Sequence, residues 1–130
     1  MRPFDLMIGD WVLDGRKQAQ ITAISCDGII ETTVNPLSNI ELIEPIPLTP
    51  EILEKNGFIG KPYGYLKLDE QSWMEYYYHE HRLRKWWEGV DEYNNSTITK
   101  DICFECNGVC YVHLLQNALR LCGIDKTIEL

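Results

Sequence analysis

The sequence predicts an α+β protein. The expected order is a small curved N-terminal β-sheet or SH3-like barrel, a short linking helix, then an antiparallel sheet packed by a C-terminal helix. Three observations carry this expectation. Asp-Gly pairs at Asp14-Gly15 and Asp27-Gly28 lie between strand-like runs, and residues 49–58 carry a full set of start and stop signals for one short helix. Polar residues at 113, 116, 117 and 120 then recur at helical spacing.

Residues 1–47 read as the β-sheet or barrel subdomain. In "QAQITAIS", Gln18, Gln20 and Thr22 alternate with Ala19, Ile21 and Ala23, which leaves one face wet and one dry. "IIETTV" is rich in β-branched residues and "NIELIE" supplies a fourth short strand. Such short strands at tight spacing favour a strongly curved sheet or small barrel. Pro45 and Pro47 should stop pairing and hold the chain extended.

Residues 48–130 read as an α+β subdomain. Thr49 is placed to cap a helix over 50–56, Pro50 suits its first position, and Glu51 meets the positive end of its dipole. Leu48 and Leu53 occupy hydrophobic-staple positions, and Gly57 suits a left-handed cap that returns Phe58 onto Leu53. In "YGYLKLDEQSWMEYYYHEHRLRKWWEGV" the density of Tyr and Trp favours strands, with a turn at Asp69–Ser72. The run from Trp73 to Trp87 is long for one strand, so a bend is expected near His79–His81. "EGVDEYNNSTITK" reads as a polar loop.

From Ile98 the alternation resumes: Ile98, Ile102, Phe104 and Cys106 share one face, and Thr97, Thr99, Asp101, Cys103 and Glu105 the other. Cys103 and Cys106 then point in opposite directions. A helix is expected over about 110–122, with His113, Gln116, Asn117 and Arg120 as a wet stripe and Gly123 as its C-cap.

The cluster "CFECNGVCYVH" admits a zinc reading through Cys103, Cys106, Cys110 and His113. Only three residues separate its two pairs, far fewer than the dozen or so of common fingers. The bacterial iron–sulfur run would need a fourth cysteine followed by proline. The structural reading is therefore preferred, with the cysteines as small buried hydrophobes, and no metal or other cofactor is expected. His79 and His81 would share a face if "YHEHR" were extended, but a metal there would need a third ligand such as Glu75 or His113 brought in by folding. Scattered histidines on a solvated strand face are therefore the preferred reading.

Composition narrows the function classes. The net charge is −8, and with five basic against nine acidic residues in 1–65 and seven against eleven in 66–130, each half carries −4. Neither half offers the broad positive surface that duplex DNA requires. Apolar residues make up 45% without a run long enough to span a bilayer, so no membrane association is expected. The N-terminus, with Asp5 and Asp10 inside any apolar stretch, has no signal-peptide pattern, and five cysteines cannot all pair; a cytoplasmic setting with reduced thiols is expected. Neither a Gly-rich phosphate loop nor a G-x-S-x-G elbow occurs, and nothing orders Cys and His as nucleophile and base, so an enzyme is not expected.

The best functional expectation is a non-catalytic protein-interaction module that engages an unknown protein partner or a second copy of itself. Its contact residues would be Trp73, Tyr77, Arg82, Arg84, Trp86 and Trp87, because exposed aromatics beside Arg are enriched at protein interfaces. Single-stranded nucleic acid, stacked and neutralised by the same Tyr/Trp/Arg segment over 73–87, ranks behind it.

"IEPIPLTPEILEKNGF", "YVHLLQNALRLCGI" and the spaced string "IGDWV…ITAI…DGI" together resemble a group of small proteins found in gut Bacteroidales genomes and their phages or mobile elements. The likeness spans most of the chain, and "PLTPEILEKNGF" is its most specific part. The cysteines before "YVH" stand outside it, in keeping with their structural reading. The resemblance implies a phage or mobile-element setting and no biochemical activity.

Overall fold

The computed structural model describes residues 6–105 and 109–130, leaving aside the side chains at 96, 99–103 and 105. It is α+β, as expected, and divides into two compact units. The first comprises Met1–Pro47 and Tyr111–Asp125, the second Leu48–Cys110 and Lys126–Leu130. The chain leaves the first unit after Pro47 and re-enters it at Tyr111. The C-terminal helix, however, belongs with the N-terminal strands, and the last five residues return to the second unit.

In the first unit, strands β1 (Trp11–Asp14), β2 (Lys17–Ile24), β3 (Ile29–Thr32), β4 (Ser38–Asn39) and β5 (Ile43–Pro45) form one antiparallel sheet in the order β4-β3-β2-β1-β5. The sheet is open, with β4 and β5 at its edges, so the SH3-like barrel does not form. Both Asp-Gly turns do. In the first, the residues with positive φ are Gly15 and Arg16, so Asp14 ends its strand and Gly15 opens the turn. "NIELIE" is not one strand: Asn39 caps a 3-10 turn over Ile40–Leu42 before β5 begins. Pro45 does pair, opposite Val12, because an edge strand tolerates a missing donor.

Val12, Ile21, Ile30 and Ile43 form the core with Leu6, and Ile24 packs against them. A register shift between Ile21 and Ala23 is what turns Ile24, rather than Ala23, onto the dry side. The sheet is curved enough for Asp14 on β1 to reach side chains across β2. Its carboxylate accepts from Thr32 Oγ1 at 2.8 Å and from Ser38 Oγ at 2.9 Å.

Helix α2 (Val112–Leu121) covers this unit, and its Val112 amide donates to the Ile46 carbonyl. It ends as expected, with Gly123 in the left-handed region and the Ile124 amide on the Leu119 carbonyl. Its polar stripe is not wet. His113 is 4% exposed and Gln116 is buried, whereas Leu121 is exposed. The stripe turns inward because Gly9, Asp10 and the first residue of β1 supply partners. Gln116 accepts from the Trp11 amide at 2.8 Å and donates to the Gly9 carbonyl at 3.1 Å. Arg120 pairs with Asp10 at 2.7 Å and also donates to Asn117. Polar side chains enter an interior when hydrogen bonds await them.

The second unit opens with helix α1 (Pro50–Lys55). Thr49 accepts from the Ile52 amide, Gly57 has φ +94°, and the Phe58 amide reaches back to the Leu53 carbonyl at 3.0 Å. Strands β6 (Tyr63–Lys67), β7 (Ser72–Tyr77), β8 (Arg82–Val90) and β9 (Ser96–Glu105) follow as an antiparallel sheet in sequence order. The bend expected near His79–His81 is the β7–β8 turn. The expected polar loop is shorter, because β8 runs on to Val90 and β9 starts at Ser96. One face of this sheet is core: Met74, Tyr76 and Leu83 are fully buried, as are Leu53 and Phe58. Gly64 lies on that face, where a Cβ would come within 2.8 Å of the Tyr78 hydroxyl oxygen and 3.3 Å of Phe58 Cβ. The returning tail is pinned by Asn56, whose amide exchanges two hydrogen bonds with the Glu129 backbone, and it buries Ile128.

Along β9 the pairing slips by one residue between Arg84↔Ile102 and Leu83↔Phe104. The unbroken alternation expected from Ile98 to Cys106 is thus interrupted at Cys103. No described helix is long and apolar enough to cross a membrane.

Candidate functional site

Strand alternation sorts the second unit's aromatics. On β7, Met74 and Tyr76 go to the core, so Trp73, Glu75 and Tyr77 go to the other face. Register extends this face across three strands in rows. Tyr63, Tyr77 and Arg82 form the first row; Tyr65, Glu75 and Arg84 the second; Lys67, Trp73 and Trp86 the third.

The first row is a stack. The Tyr63 and Tyr77 rings lie 4.6 Å apart and 19° from parallel, and the Arg82 guanidinium sits 5.3 Å from the Tyr77 centroid. Because Tyr63 is on β6 and Arg82 on β8, Tyr77 is flanked on both sides. In the third row Trp73 and Trp86 stack at 6.3 Å with planes 6° apart. The Tyr65 amide and carbonyl bond outward to Ile59 at 2.9 Å each. Tyr65↔Glu75, and by alternation Tyr63↔Tyr77, are therefore non-hydrogen-bonded pairs, whose side chains approach most closely.

The middle row is polar and held between the two stacks. Glu75 is only 8% exposed. Burial first, then the charge of Glu75 and a hydrogen bond to it, push the Tyr65 phenol above its ordinary value of 10.0, so it remains a donor. Arg84 faces Glu75 from β8. Arg82 also pairs with Glu80 at 2.7 Å. With Lys67 on β6 and Glu88 on β8, positive and negative side chains are mixed across the face.

Five of the six residues expected to make contacts therefore converge: Trp73, Tyr77, Arg82, Arg84 and Trp86. The sixth does not. Trp87 pairs with Ser72 and lies on the core-facing side, as the parity of adjacent strand residues requires. Sequence reasoning missed Tyr63, Tyr65 and Glu75. The i, i+2 spacing in "YGY" was the available signal, but only register shows that both tyrosines join this face.

The histidine and cysteine candidates come apart. His81 has φ +47°, in a turn rather than a strand, and its Nδ1 is 2.7 Å from the Tyr76 hydroxyl. His79 packs edge-on against Tyr77. The pair does not share an extended face. Of the proposed zinc set, Cys110 and His113 are buried, correcting the wet position expected for His113. The Cys103 side chain and all of Cys106 lie outside the described residues, and so does their expected opposition. No group of three or more His, Cys, Asp or Glu among the described residues could hold a metal ion. Comparison with protein-family models, curated proteins and solved structures finds no match.

Proposed function

We propose that this chain is a non-catalytic protein-interaction module whose contact surface is the three-row face of the four-stranded sheet. One observation carries the reading: rings and guanidinium groups are gathered on one half-open sheet face with their stacking partners already supplied. Stacked side chains are held rigid before binding, which lowers the ordering cost of association. The face combines rings, hydroxyl groups and charges of both signs, which is the chemistry of protein interfaces. The partner is another protein or a second copy of this chain.

The same arrangement speaks against single-stranded nucleic acid. Stacking successive bases requires several free ring faces, and Tyr77, with Tyr63 on one side and Arg82 on the other, offers none. The mixed charges give little counterion release. The phage or mobile-element setting implied by the sequence resemblance belongs to the same reading and is checked by inspecting the neighbouring genes.

The test compares Trp86→Ala with Trp87→Ala. Self-association is followed by sedimentation over a concentration series, and heterologous binding by affinity capture with purified re-binding. Trp86→Ala should weaken the complex about thirtyfold, as for a hot-spot residue contributing about 2 kcal/mol. Trp87→Ala should affect folding more than binding. A monomer at all concentrations with no re-binding partner, or steeply salt-dependent oligonucleotide binding, would overturn the proposal.

A further inference from the structure

The β6–β7 turn borders a cavity of about 650 Å³, within the usual size range of ligand sites, roughly 300–1,000 Å³. Its apolar walls are Ile59, Tyr65, Leu66 and Trp73, and Asp69 and Glu70 stand on the turn. One side of the Trp73 ring is taken by Trp86 on β8, and the Trp73 side chain also lines the cavity. Tyr65 is stacked at 6.4 Å on Tyr63 and lies opposite Glu75 in the strand register, which orients this wall. Asp69 is equally set: its carboxylate accepts from the Gln71 amide at 2.7 Å. Hydrogen bonds to Gln71 and Ser72 hold it below the ordinary carboxylate value, so it is ionised at neutral pH.

We infer that this cavity seats a lysine or arginine side chain presented by a protein partner. Each part of the side chain has a counterpart. The alkyl stem matches Ile59 and Leu66, the cationic head matches two π-faces, and the carboxylates of Asp69 and Glu70 supply opposite charge. Lys67 also borders the cavity, which leaves two negative charges against one positive. The backbone adds a second feature. Tyr65 turns its amide and carbonyl to the outer edge of β6, so by alternation Lys67 turns its own to the same edge, beside the cavity. A partner segment carrying the basic residue can pair there while its side chain enters.

This inference rests on the reading of the four-stranded sheet as a protein contact surface and adds the chemistry of the partner's anchor. The test titrates the whole chain with acetylated, amidated Gly-Lys-Gly and Gly-Arg-Gly, with Gly-norleucine-Gly as the uncharged control and methylammonium as the free cation. The readout is the indole N–H resonance of Trp73, assigned through Trp73→Phe. The basic peptides should give a saturable shift at least tenfold tighter than the norleucine peptide or methylammonium. Asp69→Asn with Glu70→Gln should weaken them about tenfold, while Lys67→Glu, which leaves the acidic pair intact, should tighten them about threefold. Equal binding of the norleucine peptide, equal binding of methylammonium, or indifference to all three charge changes would overturn the inference. Loss of association in Trp86→Ala with no peptide response would remove the cavity's role alone. A peptide response with association untouched by Trp86→Ala would remove the wider reading and leave the cavity.

Discussion

The two units place polar side chains in opposite ways. In the first, Asp14 is enclosed by hydroxyl groups of β3 and β4, and Asp10 is closed off by Arg120 from α2. In the second, the interior around Met74, Tyr76 and Leu83 is predominantly apolar, while carboxylate, guanidinium and ammonium groups collect on the outer side among stacked rings. The first arrangement fixes a strand end and a helix to their places. The second gathers polar groups beside stacked rings on the face proposed above as a contact surface. A charged residue therefore means different things in the two halves, and substitutions separate them.

The largest effect is expected where enclosure is broken. Arg120→Ala leaves the Asp10 carboxylate, 0% exposed, without its guanidinium, and should cost about 3 kcal/mol. The urea midpoint reads this directly; a change within the scatter of surface substitutions would mean that the first unit does not depend on its polar ties. Next comes the apolar side of the second sheet. Gly64→Ala forces a methyl toward the Tyr78 hydroxyl oxygen and Phe58, at 2.8 and 3.3 Å, and should cost about 2 kcal/mol. An unchanged thermal midpoint would show that this side is looser than its burial implies. Both variants should leave binding by correctly folded protein intact, in contrast to Trp86→Ala.

The smallest effect is the pH dependence that Asp10 contributes in the first unit. Burial raises Asp10 above its ordinary value of 3.8, outweighing the Met7 amide, Arg120 and the charge of His113. The native chain therefore keeps this proton where the unfolded chain has lost it. The resulting stabilisation is complete below the ordinary carboxylate range and fades as pH rises through the native value. The unfolding free energy of the native sequence minus that of Asp10→Asn should fall as pH rises above the ordinary carboxylate range. A flat or rising difference would contradict the dominance of burial at this site.

Legibility followed the range of the interactions involved. Helix α1 could be read entirely, because Thr49, Pro50, Gly57 and Phe58 act within a few residues of one another. The β7–β8 turn was legible for the same reason. The direction of the polar stripe on α2 was not, since the groups that draw it inward are Gly9, Asp10 and Trp11, about a hundred positions earlier. The slips in register after Ile21 and near Cys103 were equally hidden, because an extra residue is defined only against the strand opposite. At the candidate site, parity alone separated Trp86 from Trp87. Bringing Tyr63 and Tyr65 beside Trp73 and Tyr77 required a pairing that composition does not encode.

The backbone passes between the units at 47/48, 110/111 and 125/126, so neither is a contiguous run of sequence. A single proteolytic cut or gene truncation therefore liberates neither piece whole. Removing the segment after residue 125 takes Ile128 and the Asn56 clasp from the second unit, although that segment is far from its strands in the gene. Exchanging either unit by recombination would mean moving two separate stretches together, which binds their inheritance to one another.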